Sequence, residues 1–141
     1  MQTPHIQTFN GQPVGPNTFY ALCKGENAGK PLLQPCPNCF TVTCSSELER
    51  DYYYWLTWGL WKGKTFRYYL TGSVIPFIRI SDYKAVIDSR GLGKVENPEQ
   101  LTRAIQTMRD LEALEAATLQ KLLLVKQMRV AVYDKLLKRS V

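Results

Sequence analysis

The stretch CFTVTCSSELERDYYYWLTWGLWKG, Cys39–Gly63, changes its period halfway along, and that change decides the fold class. Its first six residues alternate, with Phe40, Val42 and Cys44 on one face and Thr41 and Thr43 on the other, which predicts a strand. Ser46 and Glu49 then form the capping pair S-x-x-E, and a helix follows to Gly63, the residue expected to tolerate a left-handed helix end. A strand leading into a capped helix that is too short to be its own domain predicts a mixed α+β fold.

Working outward, NTFYALCK from Asn17 has strand composition, and GENAGKP, Gly25–Pro31, supplies the turn that ends it. Residues 1–16 hold Pro4, Gly11, Pro13, Gly15 and Pro16 and are expected to form an irregular arm. On the other side, TFRYYL and SVIPFIRI are two strand candidates joined at Thr71-Gly72 in a hairpin. The proline restricts the second to a sheet edge. Alternation then places Val74, Pro76, Ile78 and Ile80 on one face and Ile75, Phe77 and Arg79 on the other. Ser81-Asp82 is read as the cap of a short helix DYKAVID, and SRGLGKVEN as a Gly-bearing loop.

From Asn97 onward the reading is simple. Asn97 and Gln100 form a second capping pair around Pro98, and no Gly or Pro follows to Val141. One helix of about forty residues, on the order of 60 Å, is predicted. Met108, Leu122 and Leu136 alternate with Ala104, Leu111, Val125 and Val132 along a coiled-coil seam that Glu115, Thr118 and Arg129 interrupt. A parallel pair would set each of those charges against its own copy, so antiparallel pairing or packing on the protein's own body is expected. The organisation is therefore an arm (1–16), an α+β domain with a small antiparallel sheet and one aromatic-rich helix (17–96), and a long C-terminal helix (97–141).

The chain of 141 residues carries 18 basic and 12 acidic side chains, a net charge of +6. The excess is greatest in residues 101–141, with eight basic and four acidic groups. No apolar run is long enough to span a membrane, and the N-terminus lacks a signal-peptide pattern, so a cytoplasmic protein is expected. Reduced thiols or metal ligands then outrank disulfides for the four cysteines. Cys36-Pro-Asn-Cys39 has knuckle spacing, and Cys23 and Cys44 would complete a Cys₄ zinc site. Against this, a second C-x-x-C is missing and Phe40 opens a strand where a zinc ribbon puts glycine. The expectation is no cofactor, with zinc on those four thiols as the alternative.

Catalytic constellations do not emerge. GENAGKP has three residues between its glycines and a proline after its lysine, which a phosphate-cradling loop does not allow. His5 is the one histidine, and Glu47, Glu49 and Asp51 suit a first helical turn. No nucleophile elbow, dinucleotide fingerprint or HExxH is present, and no small-molecule substrate is evident. The strongest chemical signal is the segment from Tyr52 to Tyr69, which holds nine of the sixteen aromatics. Trp61 and Tyr68 interleave there with Lys62, Lys64 and Arg67, and Arg79 follows on the edge strand. Cations for phosphates beside flat rings for bases point to DNA. The rings serve equally as the core of a small domain, with the cations as its rim.

GSVIPFIRISDYK, Gly72–Lys84, resembles the P-F-I-R-I-x-D part of a signature in target-recognition domains of type I restriction-modification specificity subunits. The matching residues are Pro76, Phe77, Ile78, Arg79, Ile80 and Asp82. In that family they are largely structural, and a long helix follows that pairs antiparallel with its counterpart, as LEALEAATLQKLLLVKQMRVAVYDKLL would. As a whole the chain resembles a small uncharacterised bacterial family of the kind carried on phage or mobile elements. The resemblance implies a non-catalytic module that binds DNA or joins a DNA-processing complex. A structural adaptor is the other reading, with Met108, Leu111, Leu122, Val125, Val132 and Leu136 forming a homodimer or docking a partner.

Overall fold

The computed structural model describes residues 1–91 and 97–139. It is an α+β protein with a four-stranded antiparallel sheet, a second sheet of two short strands and three helices. The chain divides into two compact units, Met1–Met108 and Arg109–Val141.

In the first unit the sheet is built from β1 (His5–Thr8), β2 (Thr18–Leu22), β3 (Pro31–Leu32) and β4 (Cys39–Thr43), in the order β1-β4-β2-β3. The strand expected at β4 is formed, with Phe40, Val42 and Cys44 buried on one face, but burial does not alternate, because Cys39 is buried on the other. Thr41 is equally buried because β4 is an inner strand, with Tyr20 beside Thr41 in the β2 register and Gln7 on the other side. That inner place explains β1, which the sequence reading left inside an irregular arm. His5–Thr8 puts a single buried side chain, Ile6, into the core, so its alternation is faint. What makes it a strand is pairing with β4, from His5 against Thr43 to Thr8 against Phe40.

Helix α1 (Glu47–Lys62) begins as read, with the Ser46 hydroxyl accepting from the Glu49 amide at 3.2 Å. Its end differs. Gly63 has φ −75°, and Lys64 takes the left-handed position at φ 61°. TFRYY is not a strand but a 3₁₀ helix, Thr65–Tyr69. Phe66 alone faces inward, where its ring stacks on Tyr83 with centroids 5.5 Å apart, while Arg67 and Tyr68 point to solvent. One buried residue in a tight turn satisfies the core better than an alternating strand would.

The hairpin exists in shorter form. β5 (Leu70–Thr71) pairs with β6 (Phe77–Ile78), and Gly72, at φ +100°, opens the turn between them. Val74 is 90% exposed, so the expected face of Val74, Pro76, Ile78 and Ile80 breaks, with Ile78 alone fully buried. The edge expected from Pro76 is docked on the chain after β2. The Pro76 carbonyl accepts from the Gly25 amide at 2.7 Å, and the Ile78 amide donates to Cys23 at 3.0 Å. Helix α2 runs Ile80–Gly91, longer at both ends than DYKAVID, and its first bond joins the Tyr83 amide to the Arg79 carbonyl. Ser89–Gly91, read as loop, are its last turn, and residues 92–96 of that loop lie outside the described residues.

The core gathers Phe19, Phe40 and Val42 from the sheet, Tyr52 and Tyr53 from α1, and Tyr83, Val86 and Ile87 from α2. Helix α3 (Pro98–Arg139) begins at the Asn97 cap, which accepts from the Gln100 amide at 3.0 Å, and its Leu101 and Ile105 are buried in this unit. Arg109 onward is the second unit, a helical stretch whose large apolar side chains from Leu111 to Leu137 are exposed.

Tyr83 carries an unusual cost. Its hydroxyl is fully buried without a well-formed hydrogen bond, although the Thr57 hydroxyl, which donates to the Tyr53 carbonyl at 2.7 Å, lies close enough to act on it. Tyr83→Phe keeps the ring stacked and removes that group. It is expected to raise stability by about 1 kcal/mol in urea unfolding, and a loss of stability would show that the hydroxyl is satisfied after all.

Candidate nucleic-acid interface

Helix α1 turns Tyr53 and Thr57 inward, so its period carries Tyr54, Trp58 and Trp61 along a half-buried flank. Their rings form a ladder. Tyr54 stacks on Trp58 at 6.4 Å between centroids, and Trp58 meets Trp61 edge-on at 5.3 Å. Lys62 lies over both tryptophans, 5.7 Å from the Trp58 ring and 5.8 Å from Trp61. Lys30 lies over Trp61 at 5.0 Å. These distances are those of cation–π contact.

Lys30 arrives there because of the turn GENAGK. Gly25 and Gly29 have φ +89° and +94°, and the turn closes through the Gly29 amide on the Leu22 carbonyl at 2.6 Å. Gly29 presses on the ring of Phe66, which locks the turn to the 3₁₀ helix. Between them opens a shallow cavity of about 130 Å³, lined by Glu26, Trp61, Lys62, Lys64, Phe66 and Arg67 among others. Three cations and one carboxylate therefore share it. Neither Lys64 nor Arg67 forms an ion pair with a described residue, whereas Arg50 at the far end of α1 is held by Asp51 at 2.8 Å and Glu47 at 3.3 Å.

Of the residues singled out in the sequence, Trp61, Lys62, Lys64 and Arg67 thus come together. Tyr68, on the same 3₁₀ helix, is 90% exposed but does not line the cavity. Arg79 does not line it either. It follows β6, exposed beside the partly exposed Phe77, and Lys24 bridges to Phe77 across that edge. Sequence reasoning missed Lys30 and Lys24. The positive-φ glycines mark a turn, but nothing local says which helix that turn will meet. The rings divide as well, with Tyr52, Tyr53 and Phe66 buried in the core and Trp55, Trp58 and Trp61 half-buried at its boundary.

The cysteines sort into two places. Cys23, Cys36 and Cys39 lie near one another, with the Cys39 thiol donating to the Cys36 carbonyl at 3.0 Å. Cys44 sits apart, beside Glu49 and Tyr53. Among the described residues no three metal-binding side chains are gathered to hold an ion. Burial pushes the Cys39 thiol up to about 11 and the Cys44 thiol up to about 12, so both are protonated at neutral pH. His5 is exposed at the start of β1, opposite Thr43.

Among the described residues, no helix is long and apolar enough to cross a membrane. No curated protein and no solved structure gives a significant match to the chain. A family model does match, over residues 6–135, which takes in the sheet but for His5, α1, α2, most of α3 and the cavity, and the chain therefore belongs to DUF6943, a family of unknown function.

Proposed function

We propose that the protein is a non-catalytic module that binds DNA in single-stranded form at the cavity beside Trp61. The observation that carries this reading is the convergence of Lys62, Lys64 and Arg67 on one half-buried tryptophan, with Lys30 over its ring. Cations gathered on one cavity suit the phosphates of a strand, and the Trp61 and Tyr68 rings offer stacking faces of the kind unpaired bases use. A duplex hides its base faces, so the rings would contribute nothing to it. Arg79 and Lys24 extend positive charge along the β6 edge, where the backbone of a longer strand could run.

Fluorescence anisotropy with a labelled oligothymidine tests this. Binding is expected in ~50 mM salt, with log K falling against log salt at a slope of about −2 to −3, as three or four phosphate contacts on a single strand dictate. Lys62→Glu, Lys64→Glu and Arg67→Glu together should lower affinity at least tenfold. No binding at low salt, or undiminished binding by the triple variant, would overturn the reading. A second reading, the structural adaptor, is favoured by the exposed apolar side chains of α3, from Leu111 to Leu137.

A further inference from the structure

We infer that the second unit is a dimerisation helix that pairs antiparallel with the same helix of a second copy, in the register that sets Leu122 against Val125. The reading does not depend on DNA binding. Beyond Arg109 the helix shows water a set of side chains that water disfavours: Leu111, Leu122, Val125, Val132 and Leu136 are each 50–60% exposed. On a 3.5-residue repeat they fall on one seam with Met108, Glu115, Thr118 and Arg129. An apolar seam of this length has to be covered, and its charges say by what.

Consider first a parallel partner in register. Glu115 would meet Glu115 and Arg129 would meet Arg129, both inside the seam. At the flanks, the interhelical contact of a parallel pair runs five residues forward, which brings Lys121 against Lys126 of the second copy on both sides. All of these contacts are repulsive, and those in the seam are desolvated as well.

Now reverse one helix and overlap the two from Leu111 to Leu136. The layers become Leu111 with Leu136, Glu115 with Val132, Thr118 with Arg129, and Leu122 with Val125, each occurring twice. Glu115 and Arg129 of opposite copies then occupy adjacent layers, about 5 Å apart in rise, where a long guanidinium reaches a carboxylate. The flanks improve in the same step. Lys126 faces Leu119, Lys121 faces Met128 and Lys135 faces Leu114, so each methylene stem lies along an apolar neighbour while its ammonium stays in water. Like charges face each other nowhere between Leu111 and Leu136 in this register.

The inference is tested on the full chain by sedimentation equilibrium between ~5 and ~200 μM. A dimer is expected for the natural sequence, and Leu122→Asp with Val125→Asp should give a monomer whose near-ultraviolet tryptophan spectrum is unchanged. Charge swaps then read orientation. Glu115→Arg alone should raise the dissociation constant about tenfold, because it sets two arginines in adjacent layers, and adding Arg129→Glu should restore it. A parallel pair would show no such rescue, since both swapped positions would still meet their own copies. A monomer at ~200 μM, or a double swap that fails to recover the single one, overturns the inference and leaves the anisotropy result standing.

Discussion

Gly29→Val is expected to destabilise the protein by about 3 kcal/mol, the sum of a left-handed backbone imposed on a β-branched residue and a clash in the core. Gly29 has φ +94°, and a side chain there would bring its Cβ to 2.9 Å from Phe66 Cε2 and closer still to other atoms of that ring. Phe66 has nowhere to go, because it is 1% exposed and stacked on Tyr83. For a chain of this size the midpoint of thermal unfolding should fall by roughly 10 °C. Gly25→Val separates the two causes. Its φ is +89°, but nothing lies within 4 Å of the added carbon, so only the backbone share of about 1 kcal/mol should be lost. Equal losses at the two positions would mean that Phe66 does not hold the turn. Because the same turn carries Lys30 to Trp61, Gly29→Val should also weaken oligothymidine binding more than Gly25→Val does.

Alkaline pH is the second large lever. The Cys39 and Cys44 thiols are pushed up to about 11 and about 12 by burial, and burial also raises the phenols of Tyr53 and Tyr83. Thiols in the unfolded chain release their protons near pH 8.5 to 9. Above that, the unfolded state binds fewer protons than the folded state, so stability falls as pH rises. Each retained proton contributes on the order of 1 kcal/mol per pH unit. The loss begins near pH 9, steepens above pH 10 as the tyrosines join, and below pH 8 these groups contribute no slope. Urea unfolding at pH 8, 9 and 10 should therefore give midpoints that drop progressively, and Cys44→Val should make the slope between pH 9 and 10 shallower. A midpoint constant across that range would place both thiols in contact with water.

What could be read from the sequence was what the chain decides locally. Ser46 with Glu49 and Asn97 with Gln100 are caps closed within four residues, and both are formed. Cys39–Thr43 likewise forms the strand expected of it, β4, although both of its faces are buried. The misreadings share one cause, which is a decision taken by a distant partner. His5–Thr8 is a strand because β4 is there to pair with, and Thr65–Tyr69 coils because Phe66 has Tyr83 and Gly29 to dock on. The candidate interface divides along the same line. Trp61, Lys62, Lys64 and Arg67 are neighbours in sequence and remain neighbours in space. Lys30 joins them from a turn that closes before α1 has begun.

The strand order β1-β4-β2-β3 also sets a timetable for the protein as it is made. His5–Thr8 leaves the ribosome before the other strands of the sheet, yet its neighbour there is β4, which is synthesised after both β2 and β3. Until then the segment has no partner, while β2 and β3 can already close through their short turn. Helix α1, which packs over the sheet, comes later again. The N-terminal segment is thus threaded early and fastened late, secured at last by β4 and by the Tyr53 hydroxyl, which donates to the Gln2 carbonyl at 3.4 Å. A bulky fusion at the N-terminus would hang on the piece of the sheet that assembles last, whereas one at the C-terminus would leave that docking step untouched.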